Sequence, residues 1–502
     1  SDTFTFTINP SPSLSITNNS STVDLTGSNY IDLEAVYTTG ASILWSTGVT
    51  SDTVNLYSIG NYSVTASLNG CSTTQNVQVY EPIYVAKTGD NTNDGSFANP
   101  YLTIQKGIDE AAEGQKIYVL PGTYKEGELD FETSSGSGVY KNLYIASDLV
   151  RLDDSSAIAS TKIDADGDGY LFNINGANSS TIQGFTLTGV TLNSYDNSVI
   201  KLSNSANLVF RDIIITGNSI TGNIWGGAIN VSNASPVFDN MVIEDIGTSS
   251  RNCYAIASVQ GGSSDVHFID VIWKNNFANQ YGVVNAWSNS SITLTNNLLI
   301  DNYHSSWRGI LNLHSYSKMV LINTTVVNNL ASEAQLVSFW SSNNKLTLIN
   351  SILGTSTKPE YQIYNNGGSD NSVYARNSVL PLGVTGSNQA SSITWDVDAT
   401  NVLTDPQLDS DGTLLATSPA IGIATKNPVT IGSTTYTPPL LDLAGVTRPD
   451  PAGSNPDAGA YESDKAQGDF DVLLTQCAYL LEGVVLNSTN YTTSWKLNGT
   501  VV

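Results

Sequence analysis

The segments ITLTN at 292–296, MVLIN at 319–323 and LTLIN at 346–350 share one pattern, an apolar residue followed by one further residue and then Asn. Farther upstream, LVFRD, PVFDN and VHFID carry the same pattern and end in Asp or Asn. The key apolar positions are spaced by 28, 30, 26, 27 and 27 residues: Phe210, Phe238, Phe268, Leu294, Leu321 and Leu348. A fixed period of this size predicts stacked units, none of which buries its apolar face alone.

A second apolar column runs in parallel with the first. Its leading positions are Ile229, Ile256, Val284, Leu311 and Val337. Two residues after each come Val231, Ser258, Ala286, Leu313 and Phe339. Because side chains alternate between the faces of a strand, both sets are expected to point inward. Two columns with one period predict an all-β chain built on a right-handed parallel β-helix, with coils of about 27 residues stacked at about 4.8 Å.

A polar residue follows each position of the first column by two residues. These residues are Asp212, Asn240, Asp270, Asn296, Asn323 and Asn350. Ile182 also fits the column, and Gly184 then takes the polar position. An inward Asn is expected to bond to the turn backbone and to the Asn of the next coil, in an amide ladder. Phe238 and Phe268 are expected to stack on each other.

A helical pattern is present at LTIQKGIDEAAE, residues 102–113. Ile104, Ile108 and the pair Ala111–Ala112 would form one apolar face of an amphipathic helix. A parallel β-helix has an open end that needs covering. The segment is therefore predicted to be the N-terminal cap.

Charge and composition argue against several classes of partner and site. Lys and Arg number 20 and Asp and Glu 45, so the net charge is −25, which argues against binding to nucleic acid or to anionic membranes. No run of about 18 apolar residues occurs, so no membrane insertion is predicted for this segment. Cys71, Cys253 and Cys477 form no CxxC pair, which leaves no zinc knuckle or redox motif and leaves their disulfide state open.

Short alternating runs flank the coils. Residues 14–81 predict a small β-sandwich with Trp45 as its core aromatic. The β-helix is assigned to 83–463, and 467–502 is assigned as a partial module in which Trp495 takes the place of Trp45. Residues 1–8 read as the last strand of a preceding module. The chain is thus expected to be an excerpt of a longer tandem-domain protein, or, alternatively, 467–502 is a short tail docked on the β-helix.

Two parts of the chain resemble known families. Residues 83–126, with 405–424 and 442–463, resemble the opening and the closing coil of secreted bacterial β-helix proteins of the pectate-lyase-like superfamily. The stretch LWSTGVTSDTVNLYSIGNYSVTASLNGCS resembles the Ig-like or PKD-like modules common in secreted proteins of Bacteroidota. The resemblance implies an extracellular or cell-surface protein, with type IX secretion, and some such proteins are adhesins. It leaves activity open, because the group includes lyases, epimerases, sugar-binding modules and proteins without known catalysis.

A row of rings is predicted on one lateral face. Alternation places Trp287, His314 and Trp340 outward on successive coils, and Asn285 and Asn312 outward beside them. Aromatic faces stack on sugar rings and amides bond to hydroxyls, so a glycan is expected to lie along this row. The loops beside it add Tyr303, His304, Trp307 and Arg308. The alternative is ordinary aromatic packing under a loop.

The same loops offer groups for a lyase site. β-Elimination needs a base and a group that neutralises a uronate carboxylate, roles that Tyr303, His304, Arg308 and His314 could fill. The sequence has no Lys and Arg pair on neighbouring coils with an acidic calcium cluster. Catalysis is therefore the less favoured hypothesis.

A calcium site is a further candidate. Asp164, Asp166 and Asp168 alternate as in the first half of an EF-hand loop, but Asn175 stands where the bidentate Glu would be. The alternative, which is slightly favoured, is an ordinary Asp-Gly turn.

The preferred interpretation is a non-catalytic segment of a large secreted or cell-surface multidomain protein. It would act as an adhesin or stalk whose partners are an extracellular polysaccharide or surface glycan and the other domains of the same chain. A polysaccharide lyase or related carbohydrate-active enzyme is the first alternative. A structural spacer without ligand is the second.

Overall fold

The computed structural model describes residues 10–17, 31–247, 253–306, 308–331, 336–354, 363–366, 368–380, 393–464, 470–475, 478–483, 496–497 and 500–501. The chain is all-β, with 4% helix, and forms a parallel β-solenoid of about nine turns. The predicted fold class, a right-handed parallel β-helix, is confirmed. Internal contacts divide the chain into two compact units, one of residues up to Gly167 with 171–188 and 205–214, the other of 168–170, 189–204 and the residues from Ile215 onward.

A small β-sandwich forms part of the first unit. Its strands are β1 (Leu14–Thr17), β2 (Ile31–Tyr37), β3 (Ser42–Trp45), β4 (Thr53–Leu56), β5 (Gly60–Leu68) and β6 (Cys71–Val79). They form two antiparallel sheets, of order β1-β2-β4 and β3-β5-β6. Trp45 is 1% exposed in the shared apolar core, and its Nε1 donates to the Ser51 carbonyl at 3.0 Å. The assignment of this sandwich as Ig-like stays a prediction.

The next elements begin the solenoid. They are β7 (Ile83–Val85), α1 (Ile104–Glu110), β8 (Lys116–Val119), β9 (Gly122–Lys125), β10 (Tyr144–Ser147), α2 (Asp148–Leu152), α3 (Ser156–Ser160), β11 (Thr161–Asp164), β12 (Phe172–Asn175), β13 (Thr181–Thr188), β14 (Thr191–Leu192), β15 (Ile200–Ser203) and β16 (Val209–Ile215). Within the first unit, parallel pairing aligns Ile83, Ile117, Ile145 and Ile182 in one buried column.

Helix α1 is the predicted cap, shorter than its sequence pattern. Thr103 caps its N-terminus, and Ile104 and Ile108 are buried. The Glu126 carboxylate accepts hydrogen bonds from the Ile104 and Gln105 amides at 2.6 and 2.8 Å, which adds negative charge at the positive end of the helix. The helix ends at Glu110 because Ala111 turns to an extended conformation.

The second unit holds the longer series of coils. Its further strands are β17 (Ser219–Ile220), β18 (Ile224–Ser232), β19 (Val237–Glu244), β20 (Cys253–Gln260), β21 (Asp265–Lys274), β22 (Phe277–Ala278), β23 (Val284–Trp287), β24 (Ser291–Thr295), β25 (Leu298–Ile300), β26 (Tyr303–His304), β27 (Leu311–His314), β28 (Lys318–Ile322), β29 (Thr325–Val327), β30 (Leu330–Ala331), β31 (Val337–Trp340), β32 (Lys345–Ile349), β33 (Ile352–Leu353), β34 (Ile363–Asn366), β35 (Asn371–Arg376), β36 (Val379–Leu380), β37 (Ile393–Val397) and β38 (Val402–Leu403). The last described strands are β39 (Val429–Ile431), β40 (Thr434–Tyr436), β41 (Phe470–Thr475), β42 (Ala478–Gly483), β43 (Lys496–Leu497) and β44 (Thr500–Val501), which form antiparallel pairs.

The first apolar column has the predicted register. Phe238, Phe268, Leu294, Leu321 and Leu348 pair in that order on β19, β21, β24, β28 and β32, and all are buried. The Phe238 and Phe268 rings stack, with centroids 5.0 Å apart and planes at 13°. Spacing by coil length was therefore sufficient to align this sheet.

The predicted alignment of the second column is wrong by one residue in one coil. Ile229 pairs with Ala257, not Ile256, and Val259 then pairs with Ala286 in place of Ser258. The reason is coil length, because Ile229 and Ala257 are 28 residues apart, one more than the predicted pairing with Ile256 assumed.

The amide ladder differs from the prediction in direction. Its six residues have φ between 48° and 55°, the left-handed region that Asn, Asp and Gly tolerate best. Asn350 Nδ2 does donate to Asn323 Oδ1 at 3.2 Å, and Asn296 Nδ2 to Asp270 Oδ1 at 2.9 Å. Their other bonds, however, go to the segment 405–463 that lies over the outside of the coils. These residues therefore make the corner between two strands and face outward.

A different set of asparagines forms a second buried ladder. Asn276 Nδ2 donates to Asn302 Oδ1 at 3.0 Å, and Asn302 Nδ2 donates to Asn329 Oδ1 at 2.9 Å. Asn302 Nδ2 also donates to the Trp273 carbonyl at 2.8 Å. Each amide thus bonds to the turn backbone and to the next coil, as predicted, but at a position the sequence alignment did not select.

Residues 405–463, here called the C-terminal strap, contain the segments that resemble a closing coil, and they lie along the side of the coils. Ala460 packs on Leu298, Ile300 and Val327, and its amide donates to Thr325 Oγ1 at 2.9 Å. Farther along, Ala420, Ala424 and Ala458 pack on Ile352 and Val379. The strap therefore covers the outer side of β25, β29, β33 and β36, where an exposed apolar surface would otherwise remain.

The remaining domain assignments stay predictions. Residues 1–8, Cys477 and Trp495 lie outside the described residues. In the part of the chain that the structure describes, no helix has the length and apolarity needed to cross a membrane.

Candidate functional site

The row of Trp287, His314 and Trp340 lies in register on β23, β27 and β31. All three side chains are half-buried. The Trp287 and His314 rings stack face to face, with centroids 4.6 Å apart and planes at 23°. This distance is close to the spacing between coils, so the two rings lie directly on each other. A sugar would stack on the same ring faces that this contact uses. One face of each of these two rings is therefore taken by the other ring, and stacking of a glycan on the row stays a prediction.

The two predicted hydroxyl-binding amides are unavailable. Asn285 and Asn312 are both 0% exposed. Asn312 Nδ2 donates to Asn285 Oδ1 at 2.6 Å, Asn285 Nδ2 donates to Ser258 Oγ at 3.1 Å, and Ser338 Oγ donates to Asn312 Oδ1 at 2.8 Å. Their prediction as ligand contacts is wrong, because loops cover this face and the amides bond from coil to coil.

An aromatic cluster borders the row. Trp225 stacks on Tyr281, with centroids 4.9 Å apart and planes at 17°, and meets Trp287 edge-on at 5.3 Å. Tyr254 packs against both Trp225 and Tyr281, and its hydroxyl hydrogen-bonds that of Tyr195 at 2.9 Å. The cluster fixes the position of Tyr281, which lies at the centre of the region.

Arg308 lies between two rings. Its guanidinium carbon is 4.0 Å from the Tyr281 ring centre and 4.2 Å from that of Trp340. Burial lowers the pKa of Arg308 to about 10, while Tyr281 opposes this shift, so the side chain stays charged at pH 7. Arg308 Nη1 and Trp340 Nε1 are buried and have no hydrogen-bond partner among the described residues. Two N–H donors are thus held in place without an acceptor in the part of the chain that the structure describes.

These donors border a pocket of about 390 Å³, here called the Arg308 pocket. It is lined by Asn279, Gln280, Ser306, Arg308 and Trp340. Its lining combines amides, a hydroxyl, a cation and one ring. This is a set of groups suited to a polar ligand, and it lies where the ring row meets the loops.

Two other predicted loop residues, Tyr303 and His304, are not among the described residues that line this pocket. His304 is 0% exposed, and burial, with the nearby Arg308 charge, lowers its pKa to about 4. Its ring nitrogens lie near backbone groups of Gln280 and Ser306 but make no well-formed hydrogen bond within the described structure. Tyr303 stacks on Phe277 at 4.6 Å. The prediction that His304 serves as a ligand contact or base is therefore wrong, and Trp307 lies outside the described residues.

His314 is also uncharged at neutral pH. Burial lowers its pKa and the Arg308 charge lowers it further. His314 Nδ1 and Ser315 Oγ are 2.6 Å apart. The guanidinium of Arg308 is consequently the cation that the described residues supply to this region.

The candidate calcium residues show turn chemistry. The Asp166 amide donates to Asp164 Oδ1 at 2.9 Å, and Asp166 has φ 51°. Lys125 Nζ lies 2.9 Å from Asp166 Oδ1 and neutralises that carboxylate. The Asp168 carbonyl accepts the Thr191 amide at 2.9 Å. Among the described residues, no three His, Cys, Asp or Glu side chains are grouped to hold a metal ion, and calcium binding by Asp164, Asp166 and Asp168 stays a prediction.

Sequence alignment missed several members of the region, although one signal was present. Trp225, Tyr254 and Tyr281 are spaced by 29 and 27 residues, which is the coil period. Applying the period to loop aromatics as well as strand residues would have selected them. Asn279 and Gln280 carry no such signal, because they reach the pocket through the path of a loop.

Comparisons with known proteins bear on the fold. No protein-family profile and no curated protein matches the chain. Among solved structures, the chain is similar to the pectate lyase Pel9A, at 17% identity and TM-score 0.41 over 76% of this chain and 96% of that one. It is also similar to XylC in complex with xylose, at 10% identity and TM-score 0.31 over 75% of this chain and 98% of that one. A third similar structure is a family 28 exopolygalacturonase of Yersinia enterocolitica, at 10% identity and TM-score 0.21 over 78% of this chain and 99% of that one. At these TM-scores the similarities add no argument about function.

Proposed function

We propose that the chain is a glycan-contacting segment of a large secreted or cell-surface multidomain protein, which binds a polysaccharide without transforming it. The observation that carries this proposal is the Arg308 pocket beside the half-exposed ring row. Polar groups that converge on a concave site next to aromatic edges can orient a sugar through its hydroxyls and its apolar rim. The adhesin or stalk role depends on this binding.

The pocket defines how the sugar would be held. Oxygen atoms of the sugar or of its substituents would bond to the Gln280 amide and to Trp340 Nε1, whose N–H is buried without an acceptor among the described residues. Neighbouring sugar units would extend over the edges of His314 and Trp287 on the adjoining coils. Because coils stack at about 4.8 Å, a unit of the glycan chain would cover roughly one coil.

Binding of the whole chain to a panel of immobilised neutral and acidic polysaccharides tests this proposal. Trp340→Phe keeps the ring and removes the N–H donor, and Trp340→Ala removes both. We expect affinity to fall by roughly tenfold for the first and further for the second. Tyr374→Ala is the matched control, because Tyr374 is a half-buried ring beneath Lys345 on another sheet. Absence of binding across the panel would favour the structural spacer.

The lyase alternative has a separate test. A base must reach the substrate, and His304 is buried. We therefore expect incubation with uronate polymers to give no unsaturated product by ultraviolet absorbance. Product formed by the natural chain and lost in Arg308→Met would replace the binding proposal with catalysis.

A further inference from the structure

We infer, on the basis of the proposed function, that the Arg308 pocket is an anion-recognition subsite that selects sugars with a singly charged acidic substituent. The two sources of that chemistry are a uronate carboxylate and a sulfate ester. Each presents two or more oxygens that a guanidinium can bind in parallel.

The first support is a charge that has no counter-ion among the described residues. Among the described residues, no carboxylate pairs with Arg308, whereas Arg376 and Arg448 each have an acidic partner. Stacking between Tyr281 and Trp340 offsets part of the cost of removing the guanidinium from water. An anion that enters the pocket would supply the missing counter-charge.

The second support is geometry. Tyr281 and Trp340 hold the planar fork from its two sides, and Trp225 in turn holds Tyr281. The fork therefore loses little freedom when a ligand binds. Arg308 Nη1 and Trp340 Nε1 belong to residues that line the same pocket, and neither has an acceptor among the described residues, so they match two oxygens of one acidic group.

The third support is the amount of charge. His304 and His314 both have lowered pKa values, so they are neutral at pH 7. One guanidinium then faces the ligand, which suits a substituent of charge −1 better than a phosphate dianion. The chain carries a net charge of −25, so attraction to an acidic polymer has to come from this local contact.

The experiment compares matched glycans with the whole chain. A sulfated galactan is set against the same galactan after desulfation, and oligogalacturonate against its methyl-esterified form. We expect the charged member of at least one pair to bind about tenfold to a hundredfold more tightly. Arg308→Met should abolish this preference, and Arg308→Lys, which keeps the charge without the fork, should retain part of it.

Controls separate folding from recognition. Arg308→Met replaces an unbalanced buried charge with an apolar side chain of similar length, so its thermal unfolding should match that of the natural chain. Lys345→Met removes another cation that lies over a ring, 4.4 Å from the Tyr374 centre, and should leave the preference intact. The pair that shows the preference identifies sulfate or carboxylate as the substituent.

Two results would overturn the inference. If charged and neutral glycans bind equally, and Arg308→Met changes neither, the subsite is refuted while the proposed function stands. If no glycan binds, both fail.

Discussion

Replacing Arg448 with Met is expected to release the C-terminal strap from the coils. The Arg448 and Glu462 side chains are 1% and 0% exposed and form an ion pair. The guanidinium also donates to the Gly459 and Ala460 carbonyls at 2.9 Å and to Asn296 Oδ1 at 3.3 Å. One side chain thus connects two parts of the strap, its own turn and residues 459–462, to the coil that carries Asn296.

The magnitude follows from what remains after each substitution. Arg448→Met leaves Glu462 buried without its cation, and it removes the same positive charge from Asp442 and Asp457. Loss of one partner of a buried pair costs about 3–5 kcal/mol. Glu462→Gln leaves the guanidinium bonded to carbonyl oxygens and close to two carboxylates, so the cost should be about 1–3 kcal/mol. The Arg448 substitution should therefore be the more damaging of the two.

Hydrogen exchange measured by mass spectrometry is the appropriate assay, because a stacked-coil protein need not unfold in one step. The amides of Ala424, Leu443 and Ala458 bond within the strap and report its opening. Arg448→Met should raise their opening constants by roughly a hundredfold to several thousandfold. Arg376→Met is the control, because its carboxylate partners, Asp396 and Asp398, lie outside the strap, so the strap amides should exchange as in the natural chain. Unchanged protection in Arg448→Met, or a larger effect of Glu462→Gln, would refute the reasoning.

Two further predictions concern the buried polar groups. Burial, with the Glu462 charge, raises the pKa of Asp457 from 3.8 to about 7, so the folded state holds a proton there that the unfolded chain releases near pH 4. The contribution of Asp457 to the free energy of unfolding should be complete below pH 4 and should decline by at most about 4 kcal/mol as the pH rises to 7. Asp457→Asn should remove this decline, as measured by urea unfolding. Asn302→Ala should destabilise the coils by several kcal/mol, at about 1–3 kcal/mol for each buried group left unsatisfied, measured in the same assay.

The same assay supplies the contradicting outcomes. A stability difference between the natural chain and Asp457→Asn that does not change from pH 4 to pH 8 would show that Asp457 titrates normally. Asn343 lies at a corner and serves as the comparison for Asn302. If Asn302→Ala lowers the free energy of unfolding by no more than Asn343→Ala does, the amide ladder contributes nothing beyond turn formation.

The sequence alone was enough for the solenoid and for most of its register. Apolar residues such as Leu294, Leu321 and Leu348 recur at the coil length because every coil must bury the same face against its neighbours. The Asn, Asp and Gly residues that follow them were detected too, but their cause is the left-handed corner, which Gly184 at φ 86° shares. A periodic pattern records that a position is constrained, and it does not record which way the side chain points.

The tertiary structure decided what the candidate site is. Asn285 and Asn312 alternate as outward residues in the sequence, yet loops bury them, and ring stacking at the coil spacing takes the faces of Trp287 and His314. In the sequence, Arg308 is one of several candidate loop residues. In the structure it is the main residue of the candidate pocket, because Tyr281 and Trp340 pack around it from different coils. Periodicity follows contacts between equivalent positions of successive coils, whereas the loops and the strap meet the coils at positions with no fixed spacing. The predicted ring row ends at Trp340, which also lines the Arg308 pocket, so the structure adds a charged pocket beside the row that the coils alone did not indicate.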